Sequence, residues 1–276
     1  MSEEREQDHI SKKRVLYEMP GVDAVIIQRN LEFRAADGGV LSMDLYYPST
    51  ASRDSALPAV VIVAGYPDEG FQKVVGCRFK EMGSSISLGR LLAASGIAAI
   101  TYTNRQPAAD FHALLEHVRW NGPSLGIDAN RIGVWASSGN VPLALSALMR
   151  DGGESLKCAI LCYGYMLDLD GATGVADAAR TFGFVNPCAG RSVADLASDI
   201  PLFVVRAGRD QMPRLNETLD RFLLGALGCN LPMTLVNHAD APHAFELFHD
   251  SAESREIVRQ ILGFFRFRLL AGEGEA

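Results

Sequence analysis

The sequence lacks the long apolar segments that would link it to a membrane. It contains no apolar run of about 18 residues, the length needed for a membrane-spanning helix. The N-terminal stretch MSEEREQDHISKKR is charged rather than apolar, unlike a signal peptide. We therefore expect a cytoplasmic protein with no membrane partner.

Cysteine and clustered positive charge are also scarce. The five cysteines include no C-x-x-C pair and are odd in number, which favours neither a disulfide framework nor a zinc site. Cys158 and Cys162 lie in an apolar run, where free cysteines are usually core residues. A net charge of −7 without a basic run argues against a nucleic-acid partner.

The size and composition of the chain suit a single soluble domain. It has 276 residues, of which 48% are hydrophobic, enough to form a core without disulfides or metal. We expect a polar tail over 1–20 and one domain over 21–276, with a short cap insertion at 164–199. The sequence leaves open whether the chain is a monomer or a homodimer.

Apolar periodicity predicts the order of the elements. Residues 24–33 and 41–47 read as a hairpin, joined by the turn sequence ADGG. After it, buried strands are predicted at 59–65, 97–102, 131–136, 156–164, 201–208 and 232–237, and helices at 85–95, 107–121, 141–150, 213–227 and 251–270. This alternation predicts an α/β fold with a mostly parallel sheet flanked by helices, and ligands at the carboxyl ends of the strands.

The stretch VWASSGN places two serines where a strand runs straight into a helix. Such a corner is typical of a nucleophile elbow, which needs small residues two positions before and after the nucleophile. Ser138 is flanked in this way by Ala136 and Asn140, whereas Ser137 would have Trp135 two residues before it. The pattern favours Ser138; the alternative is a helix that is merely capped by serines.

Two further loops carry polar residues directly after buried strands. Asp210 follows the strand at 201–208, and His243 lies in the loop after the last strand, behind Pro242. Taken singly, Asp210 could be a helix cap and His243 a surface residue, and His238 is a second histidine nearby. Together with Ser138 they follow the order Ser, Asp, His, which is a known order of the catalytic triad.

RIGVWASSGN, AGRD and APHAF, with VIVAGYP upstream, resemble the α/β-hydrolase superfamily, especially its dienelactone-hydrolase-like esterases. The resemblance covers roughly residues 30–270. It implies the α/β-hydrolase fold, no cofactor, a small-molecule ester substrate, and Ser138, Asp210 and His243 as nucleophile, acid and base. The sequence departs from the family at Asn140, where glycine is usual, and from dienelactone hydrolases in having serine rather than cysteine as nucleophile.

This chemistry also requires donors for the oxyanion. The backbone N–H of Gly139, the residue after the nucleophile, should be one, and that of Tyr66, after the strand at 59–65, the other. The Tyr66 phenol could add a third hydrogen bond or pack as a pocket wall.

Residues that could bind substrate lie in neighbouring loops. Phe71, Lys73 and Arg105 could recognise a carboxylate on the substrate, although such charges are more often a solvated rim. Met166 and Phe182 could line an acyl pocket or hold the cap in place. The sequence thus predicts a serine esterase; the alternatives are a peptidase, or a hydrolase-fold module that binds a ligand without turnover.

Overall fold

The central sheet has eight strands within residues 9–51, 56–150 and 156–270, which the computed structural model describes. The strands are β1 (Ile26–Arg34), β2 (Val40–Tyr47), β3 (Leu57–Ile62), β4 (Ala98–Tyr102), β5 (Ile127–Ser137), β6 (Leu156–Cys162), β7 (Leu202–Ala207) and β8 (Met233–His238). Their order is β1-β2-β4-β3-β5-β6-β7-β8. β1 and β2 are antiparallel and β3 to β8 are parallel, which confirms the predicted fold class.

Helices cover both faces of this sheet. They are α1 (Asp68–Val75), α2 (Gly83–Ala94), α3 (Pro107–Asn121), α4 (Val141–Ala147), α5 (Gly174–Phe182), α6 (Leu215–Gly228), α7 (Phe245–Phe248) and α8 (Ala252–Leu270). Leu114 of α3, Leu143 of α4 and Phe222 of α6 belong to one buried cluster. Leu91 of α2 and Phe265 of α8 belong to the cluster on the other face.

The apolar runs form strands that are buried on both faces. In β3, Val60 and Val61 are both 0% exposed, and they belong to opposite clusters because successive side chains of a strand point to opposite faces. Cys158 and Cys162 of β6 are buried free cysteines, as predicted.

Two short helices lie where the sequence predicted irregular chain. α1 occupies the loop that follows β3, and α5 lies inside the 164–199 insertion. Helices of eight and nine residues are marginal by themselves and depend on tertiary contacts, so local periodicity signals them weakly. The helix predicted over 141–150 ends at Ala147, and Met149, two residues further on, forms an isolated antiparallel bridge with Leu196.

The N-terminal segment packs onto the domain from His9 onward. Val15 is 7% exposed, and its N–H donates to the Ser87 hydroxyl at 3.0 Å. The Leu16 N–H donates to the Glu246 carbonyl at 2.8 Å. The described part of the predicted tail therefore lies against α2 and α7, and residues 1–8 lie outside the described ranges.

Candidate active site

The predicted corner is found at the carboxyl end of β5. β5 ends at Ser137, and a 3-10 helix, Ser138–Asn140, continues directly into α4. Ser138 has φ +57°, a left-handed conformation that is unfavourable for a serine and is concentrated at functional sites. Ser138 is half-buried at this carboxyl end of the sheet, and the first N–H groups of the helix that follows it have no acceptors within the helix.

The two serines have different environments. Ser137 is the last residue of β5, with an extended φ of −134°, and it lies opposite Cys162 in the register of β5 and β6. Trp135 is 3% exposed and packs near Phe265, with ring centroids 6.1 Å apart. Ser138, with its positive φ, is therefore the serine at the turn of the elbow.

Asp210 and His243 meet through a short hydrogen bond. The His243 Nδ1 lies 2.7 Å from Asp210 Oδ2, and the Asp210 side chain is 0% exposed. Within the described ranges, this carboxylate is the one hydrogen-bond partner of the ring, so Nε2 remains available. A carboxylate acceptor at Nδ1 selects the tautomer whose Nε2 can accept a proton. The hydrogen bond between a nucleophile and its base is often long in a structure without substrate, and it tightens when substrate is bound.

The loops that carry this pair are also tied to each other. The Arg209 N–H donates to the Ala241 carbonyl at 2.8 Å, and the Gly208 N–H donates to the His238 carbonyl at 2.8 Å. A Cβ atom on Gly208 would collide with the Ala239 carbonyl, so only glycine permits this approach. The loop after β7 thereby fixes the loop after β8.

The second histidine does not reach this site. His238 is 1% exposed at the end of β8, and its Nε2 lies 3.1 Å from the Ser254 hydroxyl of α8. Its ring packs edge-on against Phe245, with centroids 5.4 Å apart. Its contacts are those of a core histidine.

Tyr66 lies on the other side of the elbow. A Cβ atom on Gly139 would collide with the Tyr66 phenol oxygen and the Phe184 ring, so both aromatic side chains pack directly on this glycine. Burial raises the pKa of the Tyr66 phenol to about 12, which keeps it protonated at neutral pH. No residue in the part of the chain that the structure describes accepts the Tyr66 backbone N–H.

An aromatic wall lies beside the elbow, where two of its rings, Tyr66 and Phe184, pack on Gly139. We use this name for Tyr66, Phe71, Tyr165, Phe182 and Phe184. The ring of Phe184 stacks on Tyr165 at 5.3 Å and meets Tyr66 edge-on at 5.9 Å. Phe71 lies 5.6 Å from Tyr66, and Phe182 lies 6.5 Å from Tyr165. Predicted residues Phe71 and Phe182 are thus members of the wall.

Three other predicted substrate-binding residues have partners elsewhere. The Lys73 Nζ pairs with Glu69 at 2.6 Å, and both side chains are exposed. Arg105 pairs with Asp37 at 2.7 Å. Met166 is fully buried in the core cluster that contains α6. The structure therefore does not bring these three side chains into the aromatic wall.

Sequence reasoning missed a buried pair behind His243. The Tyr163 ring packs edge-on against the His243 ring at 5.0 Å, and its phenol hydrogen-bonds to Glu246. Burial raises the pKa of both Tyr163 and Glu246. Tyr163 also has φ +34°. The one available signal was positional: Tyr163 directly follows β6, and Glu246 lies three residues after His243.

The described ranges contain neither a membrane-spanning helix nor a metal-binding cluster. No helix there combines the length and apolar character needed to span a bilayer. No three His, Cys, Asp or Glu side chains in those ranges are grouped so that they could hold a metal ion.

Known proteins resemble this chain in structure but not detectably in sequence. No family model matches the chain, and no curated protein matches it significantly. Among solved structures, esterase Est22 superimposes with a TM-score of 0.68 at 17% identity, covering 88% of this chain and 81% of Est22. Est2, a thermophilic esterase from the Planctomycetes species Thermogutta terrifontis, gives a TM-score of 0.66 at 19% identity, covering 96% of this chain and 99% of Est2. Est2 has also been solved with propionate bound.

EstE1, a thermophilic carboxylesterase cloned from a metagenomic library, gives a TM-score of 0.66 at 21% identity, covering 88% of this chain and 89% of EstE1. These likenesses and the sheet order establish that this chain has the α/β-hydrolase fold. At such low identity they establish the fold alone, so the activity has to be argued from the site.

Proposed function

We propose that this protein is a serine hydrolase that cleaves esters of small molecules through an acyl-enzyme intermediate. One observation carries the proposal: a buried carboxylate, Asp210, holds His243 at 2.7 Å on the same sheet edge as the strained Ser138 elbow. This juxtaposition of nucleophile, base and acid on one edge is the arrangement that acyl transfer requires. The esterase names of the structural neighbours support the same class.

The proposed reaction proceeds in two halves. His243 Nε2 takes the Ser138 hydroxyl proton as Oγ attacks the ester carbonyl carbon. Asp210 holds the ring and stabilises the imidazolium. The intermediate then breaks its C–O bond, and the departing alcohol takes the proton from His243. Water attacks the acyl-enzyme by the same route, which releases the acid and regenerates Ser138.

The oxyanion forms beside Gly139 and Tyr66 in this proposal. The Gly139 N–H lies in the first turn of the helix that follows the nucleophile, where N–H groups lack intrahelical acceptors. The Tyr66 N–H comes from the loop after β3, and its protonated phenol contacts the same glycine. Each donor of this kind contributes about 3 kcal/mol to the transition state.

We expect p-nitrophenyl esters to be hydrolysed best with acetyl to butyryl groups, with kcat/KM falling sharply at octanoate. Phe184 and Tyr66 pack on Gly139, which leaves little room beside the nucleophile for a long chain. A pocket that accepted longer chains would gain about 0.8 kcal/mol for each buried methylene. The propionate bound in Est2 is a short acid of the expected size.

The test compares the wild type with Phe184→Leu over the acetate to decanoate series. Removing the ring should shift the optimum to longer acyl groups, whereas Phe267→Leu, a change at a side chain that is 66% exposed, should leave it unchanged. A wild-type preference for decanoate would contradict the prediction.

A further inference from the structure

Asn140 occupies the position where the elbow usually has glycine, and its side chain spans two elements. The residue is 7% exposed. Its Oδ1 accepts the Gly65 N–H at 2.7 Å, and its Nδ2 donates to the Ser137 carbonyl at 3.0 Å. The amide therefore joins the end of β5 to the loop that follows β3.

These contacts are not those of an ordinary helix cap. A capping asparagine accepts an N–H of its own helix, but Asn140 makes no side-chain cap bond to α4. Its φ of −83° is also accessible to any residue, so the backbone does not require asparagine there. The feature that requires the asparagine side chain is its hydrogen bond with Gly65.

Gly65 is a junction of the loop that carries Tyr66. Its carbonyl accepts the Val185 N–H at 2.9 Å, and a Cβ atom placed on it would lie 3.0 Å from the Asn140 Cα. The preceding residue is held too, because the Ala64 N–H donates to the Tyr102 hydroxyl at 3.1 Å. The Gly65 N–H is thus held by Asn140 immediately before the proposed donor Tyr66.

We propose that Asn140 is a positioning residue that sets the oxyanion hole by fixing Gly65, and hence the Tyr66 N–H, against the nucleophile elbow. The inference rests on the proposed function. One side chain holds the Ser137 carbonyl on one side and Gly65 on the other, so it sets the spacing between both donor-bearing segments. Donors aimed at a developing charge act mainly in the transition state, so loss of this alignment lowers kcat more than it raises KM.

The test is Asn140→Ala, with Asn140→Gly, the residue usual at this position, as the second variant. We expect kcat per titrated active site to fall about tenfold or more, with KM changed less than about threefold. Hydrogen–deuterium exchange at the Gly65 amide should be faster in both variants, since its acceptor is gone. Active sites are titrated with a fluorophosphonate, so that loss of folded protein is not counted as loss of kcat.

Tyr47→Phe is the matched control. It also removes one side-chain bond to the backbone, from the Tyr47 hydroxyl to the Leu125 carbonyl at 2.8 Å, at the opposite end of the sheet. It should leave kcat per site and Gly65 exchange unchanged. An Asn140 variant with wild-type kcat per site, or with unchanged Gly65 exchange, would overturn the inference. A wild type without turnover would instead remove the proposed function, while exchange would still decide whether Asn140 holds Gly65.

Discussion

Replacing Ser138 with alanine should lower kcat for p-nitrophenyl acetate by at least about a thousandfold, the usual cost of removing a triad member. The reason is the geometry of the elbow. Ser138 alone of the two serines has a positive φ, and Asp210 and His243 meet on loops that follow strands ending at the same carboxyl end of the sheet. Steady-state kinetics on the purified variant would measure the loss.

Ser137→Ala is the matched control, because it removes the neighbouring hydroxyl from the same corner. Ser137 has extended backbone as the last residue of β5 and lies opposite Cys162 in the sheet register, so it is not at the turn. The variant should keep kcat within about tenfold of the wild type, since it removes no transition-state interaction. Equal losses in the two variants, or a larger loss for Ser137→Ala, would contradict the choice of nucleophile.

Replacing His243 with alanine should lower kcat by about a thousandfold or more, as for Ser138→Ala. Without the imidazole, the proposed acceptor of the Ser138 proton is gone, and the buried Asp210 carboxylate keeps only the Met212 N–H as a partner among the described residues. The measurement is hydrolysis of p-nitrophenyl acetate, with thermal unfolding recorded on the same samples.

His238→Ala serves as the control for this prediction. His238 is a core residue that contacts Ser254 and Phe245, so its loss should lower the unfolding temperature and leave kcat per folded molecule largely intact. If His238→Ala abolished turnover and His243→Ala did not, the base would have been assigned to the wrong histidine.

The sheet could be predicted because its parallel strands are continuous apolar runs. β3, β4 and β6 are buried on both faces, and longer helices such as α3 bury one apolar face, so most of the alternation of strands and helices is visible in the residues alone. α1 and α5 could not be predicted in the same way, because short helices depend on contacts made far away in sequence.

In the candidate site, too, features set by the local sequence could be predicted, and features set by distant contacts could not. The choice of Ser138 rests on local sterics, because Trp135 disfavours Ser137 as nucleophile. The choice of Asp210 and His243 rests on their places after two strands that end at one edge of the sheet. The partners of individual side chains were not accessible. Lys73 and Arg105 form ion pairs with Glu69 and Asp37. Arg105 and Asp37 are 68 residues apart in the sequence, and the i,i+4 spacing of Glu69 and Lys73 forms a pair only where the segment is helical. In the sequence, Asn140 is a departure from the usual glycine, and its bond to Gly65 cannot be read there because the two residues are 75 positions apart.

Labelling with a fluorophosphonate followed by peptide mass spectrometry tests the central claim most directly. The probe reacts with a serine only where a base and oxyanion donors activate it. We predict a single adduct, on Ser138, that is lost in Ser138→Ala and retained in Ser137→Ala. An adduct on Ser137 would contradict the assigned elbow, and a wild-type chain without any adduct would indicate a hydrolase-fold module that binds its ligand without turnover.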